Sequence, residues 1–319
     1  MSTNALLTRF KFASVLNQDQ GGRRIILQGT ISGKPALVLA QRGAFDTDPS
    51  YLAAFGRLLA HVKNLGENDI YYWYLANSLP DNSVDKPTPP DLKIDLIYPS
   101  TDKHIKKYSF QQSRSVTETP EIYGKYVRPY MQRCREDGRL NWVYNILDGK
   151  SEQDNVLFHS EPNDRNDGFL LAPDLNWDRN MASLHLLAIV DRRDIWSVRD
   201  LKKKDAPWLR HLRSTLASKV TELYDGLEED LLKFYVHYQP TYYHFHIHVL
   251  HVNVDATATQ AVGKALGLGD IISQLETMGG GDEAGMQDVE LTYGVGEAGD
   301  LWQNIFGPLK EGREPKAGE

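Results

Sequence analysis

One stretch constrains this chain more than any other: Leu232 to Asn253, which reads LKFYVHYQPTYYHFHIHVLHVN. In it His244, His246 and His248 alternate with Phe245, Ile247 and Val249. A period of two is the mark of a β-strand, whose successive side chains point to opposite faces. The spacing therefore predicts three histidines on one face and an apolar row that must enter a core. At a rise of about 3.3 Å per residue, same-face neighbours sit ~7 Å apart, near enough for three imidazoles to meet one small ligand. A phosphate and a metal ion both suit that arrangement. A strand that only covers a surface has little call for alternating histidines, because strands favour β-branched and aromatic residues. Two histidines two apart can ligate zinc with a third from elsewhere, so zinc stays open on spacing alone, although no Cys, Asp or Glu lies within the stretch.

The rest of the chain bounds what can surround this strand. Its 319 residues are enough for two domains and a sizeable core. The formal net charge is −7, so no global basic field draws in long nucleic acid, and any phosphate binding must be local. Cys134 is the single cysteine, which excludes an intramolecular disulfide and fits a reducing compartment. The first dozen residues lack the apolar stretch of a secretory signal, and no apolar run approaches a membrane span of about 20 residues. The expectation is a protein of cytoplasm and nucleus that contacts no membrane.

Taken in order, residues 9–17, 22–31 and 35–41 read as strands separated by Gly21-Gly22 and Ser32-Gly33-Lys34. Asp48-Pro49 reads as the cap and first position of a helix running through Leu58-Leu59. Ile70–Leu75 and Leu92–Tyr98 are strand-like, with a proline-rich loop over Asn77–Pro90 between them. This strand-rich α+β unit of about a hundred residues ends in the polar run Gln111–Pro120. Beyond it a helix is expected over Glu121–Arg135, then strands at Trp142–Asp148, Val156–Phe158, Phe169–Ala172 and Leu184–Val190, with a turn at Asn163–Gly168. Ala206–Tyr224 has helical periodicity, Leu231–His237 is the partner of the histidine strand, and Val262–Met278 reads as a helix. Gly279-Gly280-Gly281 reads as a linker, since no Lys-Ser or Lys-Thr pair follows it as a Walker loop requires. Gly307–Glu319 reads as a frayed tail. Lys103, Lys106 and Lys107 form a basic cluster, which is either a solvated face or a contact to polyphosphate.

Three further residues take their meaning from the family resemblance set out next, which implies a cationic purine such as 7-methylguanine as the ligand. Such a base wants an aromatic plate, because a ring face attracts positive charge. A carboxylate can accept the guanine N1–H and exocyclic amine together, and a second can hold a ribose hydroxyl. Trp142, Glu152 and Asp174 supply those groups, although an isolated Trp is ordinarily core.

The pattern from His244 to Leu250 resembles the histidine-triad nucleotide-binding family. Thr241-Tyr242-Tyr243 and His237-Tyr238-Gln239-Pro240 upstream are similar to its scavenger mRNA-decapping members. WVYNILD at Trp142–Asp148 and GFLLAPDL at Gly168–Leu175 resemble the cap-binding segments of those enzymes, in the same order. The resemblance implies an N-terminal, strand-rich, domain-swapped and lid-like dimerisation domain over residues 1–112 and a C-terminal histidine-triad α+β domain with an antiparallel sheet over residues 113–319. It implies a homodimer that needs no cofactor and hydrolyses 7-methylguanosine cap dinucleotides and short capped RNA. His246 would attack phosphorus through a phosphohistidine. Trp142 would stack on the base with Leu175 opposite, Glu152 would read the guanine edge, and Asp174 would hold the ribose. Asn68 would reach the base, while Lys107, His237, Thr241, Tyr242, His244 and His248 would line the triphosphate. Lys264 matches a basic residue after the triad. Asn176 departs from the pattern, standing where the family has a lysine, so one ribose or phosphate contact is weakened or lost. The rivals are a broader dinucleoside-polyphosphate hydrolase or nucleotidyl transferase, which needs no methylguanine reader, and a non-catalytic cap-binding regulator.

Overall fold

The computed structural model describes residues 4–78, 89–160, 168–174, 177 and 179–316. It divides into two compact units, Met1–Phe110 and Gln111–Glu319.

The first unit is built of hairpins. β1 (Lys11–Gln18), β2 (Arg24–Ile31) and β3 (Lys34–Gln41) form one antiparallel sheet in that order. α1 (Pro49–Leu58) starts as its sequence predicts: Pro49 takes the first helical position and the Asp48 carboxylate accepts the N–H groups of Ser50 and Tyr51. β4 (Ala60–Asn68), β5 (Tyr71–Asn77) and β6 (Leu92–Ile97) make a second antiparallel sheet, and α2 (Asp102–Tyr108) follows. β4 is missing from the sequence reading because its polar, Gly-containing run pairs with β5 through two irregularities that break the alternation. Most of the expected Asn77–Pro90 loop lies outside the described residues.

The second unit corrects several expectations. The polar run at Gln111–Pro120 contains a strand, β7 (Ser113–Glu118), paired with β14 (Leu291–Gly296). Val116 and Glu118 are buried while their neighbours are not, so a strand with one wet face read as a linker. Thr119 then caps a helix that opens at Pro120–Ile122, passes through a π turn at Tyr123–Val127 and continues as α3 (Arg128–Glu136). Trp142–Asp148 is no strand: α4 spans Asn141–Leu147. Val143, Ile146 and Leu147 are its buried positions, a helical spacing, and Trp142 faces outward.

A six-stranded antiparallel sheet dominates the unit, in the order β13-β11-β12-β10-β9-β8. Its strands are β8 (Phe158–His159), β9 (Phe169–Pro173), β10 (His185–Val190), β11 (Leu232–His237), β12 (His246–His251) and β13 (Ala265–Gly267). The histidine strand is thus central and pairs with Leu232–His237 as expected. One face carries Leu186, Ala188, Ile247 and Val249 into the main core, under Leu209, Leu212, Leu216 and Val220 of α5 (Ala206–Leu223). On the other, Leu170 and Ile189 meet Leu140, Val143, Ile146 and Leu147 around α4 in a smaller cluster. α4 therefore sits over the face that bears the histidines. The helix expected over Val262–Met278 begins later, as α6 (Leu268–Thr277), because Ala265–Gly267 is taken by β13. Of the expected tail, residues 307–316 are described, and its start forms α7 (Gly307–Lys310), with Gly307 and Pro308 buried. The turn expected at Asn163–Gly168 falls, apart from Gly168, outside the described residues.

Candidate active site

Register decides which histidines meet. His248 lies opposite Leu187 on β10 and Tyr235 on β11, and His246 opposite Ile189. Same-face neighbours two residues along are His237 on β11 and His185 on β10, diagonal positions within reach of a long side chain. One ring nitrogen each of His237, His246 and His248 lies within 4.8 Å of the other two. All three side chains are buried, so the face is no exposed row of imidazoles but a covered floor.

His244 is not part of that group. It precedes β12, its Nε2–H donates to the Val190 carbonyl at 2.7 Å, and its ring meets Tyr144 edge-on. What it gives the site is a main-chain carbonyl: His246 Nδ1 donates to His244 O at 2.7 Å. A carbonyl only accepts, so Nδ1 must carry the proton and Nε2 keeps its lone pair. Burial lowers the His246 pKa to about 4. The ring is therefore neutral at physiological pH, with a nucleophilic nitrogen held in one orientation.

Of the neighbours, His237 donates Nε2–H to the Thr259 carbonyl at 2.9 Å, so its neutral ring keeps a lone pair on Nδ1. Burial lowers the His248 pKa to about 2, and its Nε2 is buried without a hydrogen-bond partner among the described residues. Lys264 Nζ donates to Gln239 O at 2.6 Å, and burial lowers its pKa. Burial first, and the Lys264 charge to a smaller degree, lower the pKa values of His237, His246 and His248, and Lys264 directly precedes β13, whose Ala265 pairs with His237.

Aromatic rings connect this floor to the base-binding expectation. Tyr242 stacks on His246 with ring centroids 4.2 Å apart, and Trp142 meets Tyr242 edge-on at 4.9 Å. Trp142 is 44% exposed, too open for a core Trp and suited to a ligand plate. A cavity of about 370 Å³ is lined by Trp142, Thr241, Tyr242 and Arg139; its lining includes none of His237, His246 and His248, and Tyr242 is the lining ring that stacks on His246. Asp174 Oδ2 lies 3.6 Å from His185 Nε2, next to the triad strand. Glu152 is exposed and adopts a left-handed backbone, φ 55°.

Other expected residues lie elsewhere. Asn68 ends β4 and Lys107 lies in α2, both in the first unit, and their side chains are outside the described part, as are Leu175 and Asn176. The sequence reading missed His185 and Tyr235, whose ring stacks on His248 at 5.0 Å. A signal for His185 existed: it opens an apolar strand that can lie beside the triad.

Comparison with known proteins accounts for both units. Residues 5–111 match the model of the N-terminal region of the scavenger mRNA decapping enzyme, and residues 141–263 match that of its C-terminal binding region. An m7GpppX diphosphatase of Schizosaccharomyces pombe is 37% identical over 94% of this chain and 95% of its own length. Those of Ascaris suum and Homo sapiens are 38% and 32% identical, each over 84% of this chain and over 85% and 77% of their own lengths. With the triad, the aromatic plate and both regions in place, the chain belongs to the scavenger mRNA decapping enzyme family.

Proposed function

We propose that this protein is a cap pyrophosphatase that hydrolyses m7GpppN dinucleotides and short capped RNA to 7-methyl-GMP and a nucleoside diphosphate. The observation that carries this reading is His246: neutral, its Nδ1–H held by a carbonyl, and its ring among those of His237 and His248, one nitrogen of each lying within 4.8 Å of the others. The Nε2 lone pair attacks the phosphorus bonded to 7-methylguanosine. The bond from that phosphorus to the bridging oxygen breaks, and the nucleoside diphosphate leaves with the electron pair. Water then attacks the phosphohistidine, the P–N bond breaks, and His246 regains its lone pair as 7-methyl-GMP departs. His248 and Lys264 offset charge on the phosphoryl oxygens. Trp142 holds the cationic base, Glu152 reads its guanine edge and Asp174 binds the ribose.

The homodimer is also a proposal. Phe12, Leu37 and Leu39 are more than half exposed on the first sheet, and apolar area of that kind on a small unit favours a protein partner. Asn68 and Lys107 are proposed to touch base and phosphate, residues 1–112 and 113–319 to be the functional domains, and cytoplasm and nucleus to be the compartments. Among the described residues no helix is long and apolar enough to cross a membrane.

The test is incubation with methylated cap dinucleotide in excess chelator, with product identification. 7-Methyl-GMP and nucleoside diphosphate are expected. Activity lost in chelator and restored by zinc would instead assign the three imidazoles to a metal. Equal turnover of unmethylated dinucleoside polyphosphates would favour the broader hydrolase.

A further inference from the structure

His185 makes a polar contact to His248 that the mechanism leaves unused. Its Nε2 lies 3.0 Å from His248 Nδ1 and 3.6 Å from Asp174 Oδ2. The placement follows from the sheet. Leu187 pairs with His248, so His185, two residues earlier on the same face, reaches His248 on the diagonal. Asp174 N donates to His185 O, which sets the carboxylate on the neighbouring strand at the same level.

One proton lies between two ring nitrogens, and its position matters. Held on His248 Nδ1, it would leave a lone pair on His248 Nε2, the buried atom that has no partner among the described residues. That lone pair would face the phosphoryl oxygens and repel them. Held on His185 Nε2, it stays beside the Asp174 carboxylate, which favours it there by simple electrostatics. His248, neutral, must then carry its own proton on Nε2 and present an N–H donor to the phosphate.

We propose that His185, backed by Asp174, is a positioning residue: it donates Nε2–H to His248 Nδ1 and so fixes His248 as the Nε2–H tautomer that hydrogen-bonds the reacting phosphoryl group. This rests on the cap-hydrolase reading of the same site. It adds a coupling, because the carboxylate proposed to hold the ribose also orients the phosphate donor. Second-layer partners of this kind commonly set the tautomer of a working histidine.

The test uses the full chain with three substitutions and two readouts. 15N spectra of the His248 imidazole report which ring nitrogen is protonated, without any cap substrate. The wild type is expected to show Nε2–H. His185→Leu removes the donor and is expected to shift His248 toward a mixture of tautomers and to lower kcat by ten- to a hundredfold, with KM changed less than threefold. His185→Gln keeps an amide N–H and is expected to recover most of kcat, while His185→Asn, too short to reach, is not. A wild-type His248 carrying its proton on Nδ1 overturns the proposal, as does a folded His185→Leu variant with wild-type kcat. If His185→Leu does not fold, the wild-type spectrum and the Gln variant still decide. A wild type that shows Nε2–H on His248 yet leaves cap dinucleotide intact would refute the hydrolase reading and leave the tautomer assignment standing.

Discussion

Acidification separates two consequences of burying the triad. The pKa values of His244 and His246 are lowered to about 4 and that of His248 to about 2, in each case chiefly by burial. In the unfolded chain these rings return to the ordinary value of about 6.5. The unfolded state therefore takes up protons first as pH falls, so the stability they contribute is complete above about 6.5. It then declines toward the folded-state values. At pH 5.5, one unit below the unfolded pKa, each ring costs about 1.4 kcal/mol relative to neutral pH, and the three together about 4 kcal/mol. That is a large part of a stability of roughly 5–15 kcal/mol. Urea unfolding at pH 7.5 and 5.5 measures it. His246→Asn, which cannot protonate, is expected to lose about 1.4 kcal/mol less than wild type over the same interval, and to bind cap analogue without turning it over. Meanwhile kcat/KM of the folded wild type should show no acid limb near 6.5, because the nucleophile is neutral down to about pH 4. An acid limb near 6.5, or identical pH dependence of stability in the variant, would refute the buried neutral nucleophile. Wild-type turnover by the variant would remove His246 from that role altogether.

Other perturbations test separate parts of the molecule. Trp142→Ala should weaken methylated cap analogue roughly 2–30-fold more than unmethylated guanosine polyphosphate, the range set by a cation–π contribution of about 0.5–2 kcal/mol; equal losses would deny it the base. Glu118 and Arg199 are fully buried and 2.7 Å apart, and the Glu118 carboxylate also accepts the hydroxyls of Tyr238 and Tyr293 at 2.5 Å. Glu118→Ala strands the Arg199 charge and should cost about 3–5 kcal/mol by chemical unfolding, whereas a loss below about 1 kcal/mol would mean that water or another group compensates. Cap dinucleotide should be cleaved and a long capped transcript hardly at all at matched salt; similar rates would count against the proposed restriction to short capped RNA.

Much of the site was legible because its signals are local. Alternation from His244 to Leu250 announces a strand whatever lies around it, and Asp48-Pro49 announces a helix start, since both follow from backbone geometry over a few residues. The strand expected at Trp142–Asp148 is a helix, Asn141–Leu147. A short apolar run reads equally as strand or helix until its burial pattern is known. The strand at Ser113–Glu118 was hidden for the converse reason: its partner, Leu291–Gly296, lies far along the chain.

The sequence by itself determined which groups the site contains, because residue types and their alternation are properties of the chain alone. Only the tertiary structure decided which of them meet. His185 and His248 are 63 positions apart, and the register of two strands brings them to 3.0 Å. The same fold withdraws His244 to a carbonyl on β10, and it buries His246 from both sides so that the ring is neutral. Neither pairing nor desolvation is a property of neighbouring residues, since both arise from elements packed together from distant parts of the chain.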